Sequence, residues 1–458
     1  MMKVSNTENR NLGILRTNST HMKLISYILT ISIILLGFKN FSQDFTSNLE
    51  PPAPMKTANN AVTGGILNGV PHVYSFGGID TSKVFSGIHL KSFRYNTQTQ
   101  IWDTIPDLPD TRGKIASGSS TIDSIIYIIG GYYVFSGGSE TSSDDIHRYN
   151  INTNSYLIDG ATIPVATDDH VQAVWNDSLI YVITGWSNTG NIPNVQIYNP
   201  ITDSWSVGNP VPNNNRFKSF GASGTIVGNT IYYYGGASSS FGFNIQNILR
   251  IGKINPANPT QITWKDTTIN PAIACYRSAC TGNSRGVNWL GGSEVTYNYN
   301  GIAYNGTGAV PATGRNIYYN PTDSSLNYKF IYGDSLPMDL RGIADFGNKK
   351  YLVGGMIGNQ EVTNKVWKLE YVTVSQKEIT SNLDFNIFPN PSSTLISITG
   401  LDFSNYELTI YSIQGKLVKS EFIANRNTSI DISNLDDGVY FVQITSDNLK
   451  LSKKLIVN

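Results

Sequence analysis

The sequence predicts an all-β protein with a large repetitive domain and a small C-terminal β-sandwich domain. Its composition favours strands joined by turns, with 42 glycines and 26 tyrosines in 458 residues. A short apolar strand that ends in a glycine pair recurs six times between residues 44 and 371. From Leu383 onward the pattern changes to short alternating strands, with turns at Pro-Asn-Pro, Gln-Gly and Asp-Asp-Gly.

Charge and cysteine content exclude several classes of protein. Charged residues make up 14% of the chain and the formal net charge is +0, so no basic surface indicates nucleic acid or an anionic membrane as a partner. Two cysteines, Cys275 and Cys280, are too few for a disulfide scaffold. On one predicted strand they lie roughly 17 Å apart, too far to bridge. A local disulfide across a bend is the alternative.

An apolar segment precedes the repeats. Residues 24–36 form an apolar run that is short for a membrane span, which needs about 20 residues, and typical of a signal-peptide core. We therefore expect residues 1–43 to hold an upstream extension and a signal peptide that starts at Met22 and is cleaved near Gln43. No stable transmembrane segment should remain after processing. A membrane anchor is the alternative.

The repeat has two landmarks. Its glycine pair, or the equivalent, recurs at intervals of 51 to 63 residues, at Gly77, Gly130, Thr184, Gly235, Gly291 and Gly354. Two aromatic residues seven positions apart then flank a polar turn, as in Tyr95/Trp102, Tyr149/Tyr156 and Tyr198/Trp205. The fourth and fifth units depart from this second landmark. The unit resembles a kelch repeat, and the resemblance implies a six-bladed β-propeller over residues 44–371.

The sixth unit lacks its fourth strand, which would leave an exposed sheet edge. The sequence of residues 45–53 resembles that of the fourth strand of the first unit, so we expect these residues to close the last blade. A disordered, Pro-rich leader is the alternative. The polar residues 372–382 carry no repeat and are interpreted as a linker.

Ordered motifs mark residues 383–458. They resemble the type A sorting domain of cargo of the type IX secretion system of Bacteroidota. The resemblance implies the secretion machinery as a partner, and a protein that is secreted or attached to the outer-membrane surface after Sec export to the periplasm. An ordinary β-sandwich adhesion module is the alternative. The positions that carry the resemblance include Pro389, Asn390, Pro391, Gly415, Gly438, Tyr440, Lys453 and Lys454.

No nucleophile motif, phosphate loop or zinc spacing is found, so no catalytic residue, metal or cofactor is assigned. Asp144, Asp145 and His147 could bring metal ligands together, and a solvated loop is the competing interpretation. A basic residue precedes the innermost strand of five units, where a kelch propeller has a channel mouth. There it could hold a carboxylate or ring hydroxyls, or brace backbone carbonyls between blades. These residues are Arg112, His170, Arg216, Arg277 and Arg341.

The loops between strands two and three should open on the same face. Exposed aromatic side chains beside hydrogen-bonding groups suit sugar rings or an extended peptide, whereas packing of the loops on themselves is the alternative. The candidate binding residues there are Trp186, Tyr297, Tyr299 and Arg315, and these loops also contain Tyr132, Tyr133, Phe241, Phe243 and Tyr304.

The sequence predicts a binding module for a glycan or protein. We expect an anionic or polyhydroxylated ligand, because five basic side chains would converge on one mouth. An enzyme similar to sialic-acid mutarotases is the alternative, with Glu294 and either Arg277 or Arg315 as its acid–base pair. A structural surface-layer component is another. Copper galactose oxidases resemble the chain poorly, because their cysteine–tyrosine cross-link and clustered histidines have no counterpart here.

Overall fold

The computed structural model describes residues 45–331, 333, 335–371, 385–401, 406–424, 428–446 and 449–458. The predicted signal peptide and linker lie outside these residues. Contacts divide the chain into two compact units between Val372 and Thr373. In the described parts of the chain, no helix is long and apolar enough to cross a membrane.

In the described part of the first unit, six blade sheets follow one another along the chain, and three of these blades also carry a two-stranded loop hairpin. Strand β1 (Phe45–Glu50) precedes them. The first sheet holds β2 (Ala61–Leu67), β3 (Val70–Ile79), β4 (Ile88–Asn96) and β5 (Ile101–Ile105). The second sheet and its loop hairpin hold β6 (Gly118–Ile122), β7 (Ile125–Ile129), β8 (Tyr132–Val134), β9 (Glu140–Ser142), β10 (Ile146–Asn150) and β11 (Ser155–Tyr156).

The third sheet and its loop hairpin hold β12 (Val171–Trp175), β13 (Leu179–Ile183), β14 (Trp186–Ser187), β15 (Gly190–Asn191), β16 (Val195–Asn199) and β17 (Ser204–Gly208). The fourth sheet holds β18 (Ser223–Val227), β19 (Thr230–Tyr234), β20 (Ile248–Asn255) and β21 (Asn258–Thr268). The fifth sheet holds β22 (Ala279–Asn283), β23 (Gly286–Leu290), β24 (Arg315–Asn320) and β25 (Ser325–Phe330).

The last described part of this unit begins with β26 (Arg341–Gly342), which pairs in parallel with β2. The sixth sheet and its loop hairpin hold β27 (Ala344–Phe346), β28 (Lys349–Val353), β29 (Met356–Ile357), β30 (Glu361–Val362) and β31 (Val366–Tyr371). Three short 3-10 turns lie at Phe85–Gly87, Pro271–Ile273 and Gly358–Gln360. The result is the predicted all-β propeller, with the blades joined through interfaces of buried apolar side chains.

The glycine pairs lie where one blade meets the next. In all six blades the amide of the second glycine donates a hydrogen bond to a carbonyl of the segment that leads into the next blade, as from Gly236 to Cys275 at 2.8 Å. Gly235 has a φ of +71°, and a Cβ there would collide with the Cys275 carbonyl. Glycine therefore permits both the left-handed backbone and the close approach of the two blades.

The aromatic pairs face each other across the outer hairpins. Tyr95 lies opposite Trp102 with ring centroids 5.1 Å apart, and Tyr198 and Trp205 have the same separation. In the fifth blade Tyr319 lies opposite Leu326. Directly opposed side chains on one sheet face stabilise each other, so the seven-residue spacing is the register of a hairpin.

Strand β1 is the outer strand of the sixth sheet, antiparallel to β31, with Phe45 opposite Tyr371 and Glu50 opposite Val366. Phe45 is buried and stacks on Tyr371 at 4.4 Å. Glu50 pairs with Lys368 at 2.9 Å and accepts a 2.6 Å hydrogen bond from the Tyr95 hydroxyl of the first blade. The N-terminal strand therefore joins the last blade to the first.

The second unit contains two sheets around one apolar core. Its strands are β32 (Asn386–Phe388), β33 (Leu395–Thr399), β34 (Tyr406–Ser412), β35 (Leu417–Ile423), β36 (Thr428–Asp431), β37 (Gly438–Ser446) and β38 (Leu449–Val457). The sheet orders are β32-β33-β36 and β35-β34-β37-β38, and both sheets contribute to the core.

The motif residues of this unit stabilise its final strand and its turns. The Asn390 side chain donates to the Lys454 carbonyl at 2.7 Å and accepts from the Ile456 amide at 2.8 Å. Gly415 has a φ of +77° in the β34–β35 turn, and the Tyr440 hydroxyl donates to the Asp436 carbonyl at 2.8 Å. The Pro-Asn-Pro segment therefore holds the last strand, β38, in place through hydrogen bonds.

Candidate functional site

Six residues with left-handed backbone surround the propeller axis, one for each blade. Backbone hydrogen bonds join successive blades through them, as from the Gly221 amide to the Asp169 carbonyl at 2.9 Å and from the Arg277 amide to the Gly221 carbonyl at 2.8 Å. Each stands two residues before an innermost strand, where β26 takes this place for the sixth blade. This axial ring consists of Asn59, Ala116, Asp169, Gly221, Arg277 and Asp339.

Arg277 crosses the axial ring and neutralises two of its carboxylates. Its guanidinium donates to Asp169 through Nε at 3.2 Å and Nη2 at 2.5 Å, and to Asp339 through Nη1 at 3.1 Å. All three side chains are at most 2% exposed. The rings of Tyr276 and Tyr297 lie 5.2 and 5.5 Å from the guanidinium carbon. These contacts occupy Arg277 inside the protein, and its pKa lies well above the usual value despite burial, chiefly because of Asp169.

Two further predicted residues join this cluster. Arg341 lies 3.4 Å from the Asp169 carboxylate through Nη1 and donates to the His170 carbonyl at 2.8 Å. The His170 ring is buried and lies 3.1 Å from the Gln172 side-chain oxygen. Burial first, and then the charge of Arg341, lower the pKa of His170 to about 4, so the ring is neutral at pH 7.

Arg112 and Arg216 do not join the cluster around Arg277, and the prediction of five converging basic side chains is wrong for these two residues. Arg112 is exposed and lies over the Phe135 ring at 4.7 Å. Arg216 is half-exposed and forms an ion pair with Asp266 on the outer strand β21. Relative to the innermost strand, both stand farther back in sequence than Arg277, so they are not structurally equivalent to it. Since Asp169 and Asp339 supply counter-charge, the cluster needs no anionic ligand.

Arg315 braces the fifth blade. Its guanidinium donates to the carbonyls of Ala272 at 3.0 Å and Ala274 at 2.6 Å, and it pairs with the half-exposed Glu294. Glu294 therefore has a structural partner, and the acid–base pair required by the mutarotase alternative is engaged in holding the segment that leads into β22.

An apolar layer covers the axial ring on the side of the long loops. The residue before each ring position forms a backbone bridge to the loop of its own blade, and five of these six residues are apolar. They are Ala58, Ile115, Phe220, Tyr276 and Met338. In the third blade the place is taken by Asp168, which is 4% exposed and accepts a 2.5 Å hydrogen bond from the Ser142 hydroxyl. Burial raises the pKa of Asp168 well above the usual value.

The loop aromatics form a continuous wall upon this layer. Tyr297 is fully buried, and its ring centroid lies 5.1 Å from that of Tyr276. The candidate residue Tyr297 therefore belongs to the covering layer. The ring centroid of half-buried Trp186 lies 5.6 Å from that of Phe243, and the Phe243 and Tyr304 centroids lie 4.6 Å apart. The wall therefore spans loops of the third, fourth and fifth blades and exposes part of each ring.

Glu140 faces this wall from the second blade. On the β8–β9 hairpin it lies opposite Val134, whose buried side chain marks the axis-facing side of the hairpin. The carboxyl reaches solvent, but partial burial raises its pKa, and the charge of Asp169 adds to this shift. The charge of Arg277 lowers the pKa and so opposes both effects. Burial raises the pKa of Tyr299, and the charge of Glu140 adds to that shift. We refer to the part of the loop face that holds Glu140, Asp168 and the aromatic wall as the loop-face crevice.

The channel below the axial ring encloses about 150 Å³. Innermost-strand residues line it, among them Ser119, Gln172, Thr225 and Cys280. Ligand pockets usually enclose about 300–1,000 Å³. The channel therefore suits water or a very small molecule.

A lysine already fills the possible metal cluster of the second blade. Asp110, Asp145 and His147 bring their ligand atoms within 4.8 Å of one another. The Lys114 ammonium lies 2.8 Å from Asp110, 3.0 Å from His147 and 3.5 Å from Asp145. Its charge replaces the cation that the carboxylates would otherwise attract, so the cluster is an internal ion-pair network. Cys275 and Cys280 are free, as expected.

Sequence reasoning missed Asp169, Asp339, Asp168, Glu140 and the buried Arg250, which donates to the Arg216 and Gly235 carbonyls at 2.7 Å. Counting two residues back from each innermost strand would have aligned the axial ring. The five predicted basic residues stand at different distances from their innermost strands and therefore do not share this register.

The comparisons with known proteins agree with both units. Residues 386–458 match a family described as a secretion system C-terminal sorting domain. Kelch domain-containing protein 3 of Rattus norvegicus is 24% identical over 220 residues, 44% of this chain and 55% of that protein. An endo-acting ulvan lyase of Formosa agariphila is 33% identical over 143 residues, 31% of this chain and 27% of the lyase. The chain thus spans about half or less of these relatives.

The solved structure of YjhT aligns with a TM-score of 0.54 at 16% identity and covers 69% of this chain and 95% of that one. This likeness establishes the fold alone. Together with the six sheets and the C-terminal match, it confirms the resemblance to kelch repeats and to a sorting domain. The chain is a kelch-type β-propeller followed by a type IX secretion C-terminal sorting domain.

Proposed function

We propose that the protein is an exported glycan-binding module whose ligand lies in the loop-face crevice. The observation that carries this proposal is the half-buried aromatic wall of Trp186, Phe243 and Tyr304, which packs against the cluster that contains Val134, the cross-strand partner of Glu140. Aromatic faces cover the apolar faces of sugar rings, while a carboxylate accepts hydrogen bonds from hydroxyls. Tyr299 contributes a further half-buried ring to the same crevice.

The axial ring plays a supporting role in this proposal. Arg277 and Arg341 are committed to Asp169, to Asp339 and to a backbone carbonyl, so they hold the floor of the crevice rigid. A site whose floor is held by buried ion pairs loses little conformational freedom when a ligand binds.

Export places this crevice outside the cell. The sorting domain indicates secretion or surface attachment, and we propose that a signal peptide ending near Gln43 first directs the chain to the periplasm. Mass spectrometry of the mature protein should find neither residues 1–43 nor the sorting domain. An intracellular mature species that retains the sorting domain would contradict this route.

A glycan array probed with the full chain tests the binding proposal. For any glycan that binds, Tyr299→Ala should weaken affinity about tenfold, equivalent to about 1.4 kcal/mol. Phe330→Ala is the matched control, since Phe330 is 70% exposed on the outer strand β25. An array without binders, or capture of a protein ligand insensitive to Tyr299→Ala, would reject the proposal.

A further inference from the structure

Carboxyl groups outnumber cations around the loop-face crevice. Four acidic side chains, Glu140, Asp168, Asp169 and Asp339, surround it or form its floor. Two guanidinium groups, of Arg277 and Arg341, oppose them, and the neighbouring His170 is neutral. The sequence predicted a basic mouth, whereas carboxyl groups outnumber guanidinium groups in the assembled mouth and Glu140 is the exposed acidic residue among them.

The two guanidinium groups are held away from a ligand anion. Arg277 uses Nε, Nη1 and Nη2 on Asp169 and Asp339 and is 1% exposed beneath the rings of Tyr276 and Tyr297. Arg341 is 5% exposed and directs both terminal nitrogens into the protein. A carboxylate or sulfate ligand would therefore meet Glu140 before it reached either cation.

Glu140 is available to a ligand. Within the described chain no side chain forms an ion pair with it and no group donates a hydrogen bond to it, although it faces the axis opposite Val134. Its hairpin is held against the third blade, because the Asn188 side chain accepts from the Ser142 amide at 3.1 Å and the Ser142 hydroxyl accepts from the Asn188 amide at 3.0 Å. The hairpin that carries Glu140 is thus held by two blades.

Aromatic side chains lie on the same loop face as Glu140, because its cross-strand partner Val134 belongs to the cluster against which Trp186, Tyr299 and Tyr304 pack. The charge of Glu140 contributes, after burial, to raising the pKa of Tyr299, and it contributes after other groups to that of Tyr304, so both rings lie within its electrostatic reach. Trp186 lies two residues before Asn188 on the adjoining hairpin and contacts Phe243 of the wall. A carboxylate that shares a surface with tyrosine and tryptophan rings offers an ammonium group both an opposite charge and aromatic faces.

We propose that the loop-face crevice selects glycans that carry a protonated amine, with Glu140 as the residue that holds the ammonium. This inference rests on the proposed glycan-binding function and names the ligand class of the same site. An N-acetylated or uronic-acid sugar of the same length binds more weakly, because it offers no cation or brings a like charge to Glu140.

The pH dependence follows from the groups that face Glu140. These are the side chains of Asp168, Asp169 and Arg277 and the hydroxyls of Tyr132, Tyr299 and Tyr304. The raised pKa of Glu140 means that its carboxylate takes up a proton at a higher pH than an ordinary glutamate. Affinity for the amine therefore falls on acidification, and it falls again at alkaline pH as the ligand amine loses its proton.

Calorimetric titration of the full chain with four matched hexasaccharides tests the inference. We use hexamers of glucosamine, N-acetylglucosamine, glucose and galacturonate, and compare wild type with Glu140→Gln. Glucosamine hexamer should bind wild type at least tenfold more tightly than the other three, and Glu140→Gln should remove this preference without changing the melting temperature. Glu361→Gln is the matched control, because Glu361 is exposed in the loop of the sixth blade and pairs with Lys56 at 3.0 Å.

The outcomes separate this inference from the proposed function. Equal binding of the acetylated and free-amine hexamers, still weakened by Tyr299→Ala, overturns the inference and leaves the glycan site in place. A preference for glucosamine that survives Glu140→Gln also overturns it. Absence of binding to all four hexamers and to the glycan array overturns both. Equal loss of the preference in Glu361→Gln would show a general charge effect, which overturns the assignment to Glu140.

Discussion

Replacing Arg277 by alanine leaves Asp169 and Asp339 without their shared counter-charge. All three side chains are at most 2% exposed, so water cannot solvate the abandoned carboxylates. Breaking a buried ion pair by removing one partner costs about 3–5 kcal/mol. Arg216→Ala is the matched control, since the Arg216 side chain is 51% exposed and its pair with Asp266 should contribute about 0–1 kcal/mol.

Urea unfolding followed by tryptophan fluorescence measures this difference. All seven tryptophans lie in the propeller, from Trp102 to Trp367, so the signal does not report the sorting domain. We expect Arg277→Ala to lower the unfolding free energy of the propeller by about 3–5 kcal/mol and Arg216→Ala by less than about 1 kcal/mol. Equal, small effects of the two substitutions, with ligand binding lost only in Arg277→Ala, would refute the structural role of Arg277.

Three further predictions concern closure, pH and metal. A chain that starts at Thr57 lacks Phe45–Glu50, the outer strand of the sixth sheet. We expect its unfolding free energy to fall by at least about 3 kcal/mol, the cost of losing one buried aromatic side chain, and we expect it to aggregate. An unchanged melting temperature would contradict closure by this strand. His170 has a pKa of about 4 in the folded protein, so between pH 6.5 and about 4 only the unfolded chain binds a proton at this residue. Protonation of the unfolded chain therefore lowers the unfolding free energy by about 3 kcal/mol over that pH range. His170→Gln should therefore gain about that amount relative to wild type between pH 7 and pH 4 in the same urea assay, and a constant difference would refute the assignment. Zinc should not stabilise wild type, because Lys114 fills the acidic cluster, but should raise the melting temperature of Lys114→Ala; stabilisation of wild type would show that metal displaces the lysine.

The sequence was sufficient for those features that depend on local pattern. The all-β propeller is confirmed because a glycine pair such as Gly235–Gly236 imposes the same backbone geometry wherever it recurs. The outer hairpins are likewise local, since Tyr198 and Trp205 face each other seven residues apart. The sorting domain is confirmed by several motifs in one order at residues 386–458.

The charged cluster could not be derived from the same pattern. Arg277 pairs with Asp169, which lies 108 residues away in sequence, and only the closed ring brings them together. Arg112 and Arg216 also precede innermost strands, and only the register of each strand distinguishes them from Arg277. The positions of basic residues in the sequence carry no information about which carboxylates lie beside them in the fold.

The loop-face crevice depends on packing that no repeat specifies. Tyr297 and Tyr299 are two residues apart, yet the first is buried in the covering layer and the second reaches solvent. Glu140 has no distinguishing motif, and its importance follows from facing the axis on β9. Asp168 is recognisable only after alignment, as the acidic member of a layer that is apolar in the other five blades.

Hydrogen–deuterium exchange of the full chain, with and without a glycan selected on the array, tests the central claim most directly. The account predicts slower exchange on binding in the hairpins β8–β9 and β14–β15 and in the loops around Phe243 and Tyr299. It predicts no change in the turns between β2 and β3 or in the outer strands β17 and β25. Protection confined to those turns or outer strands would contradict a binding site in the loop-face crevice.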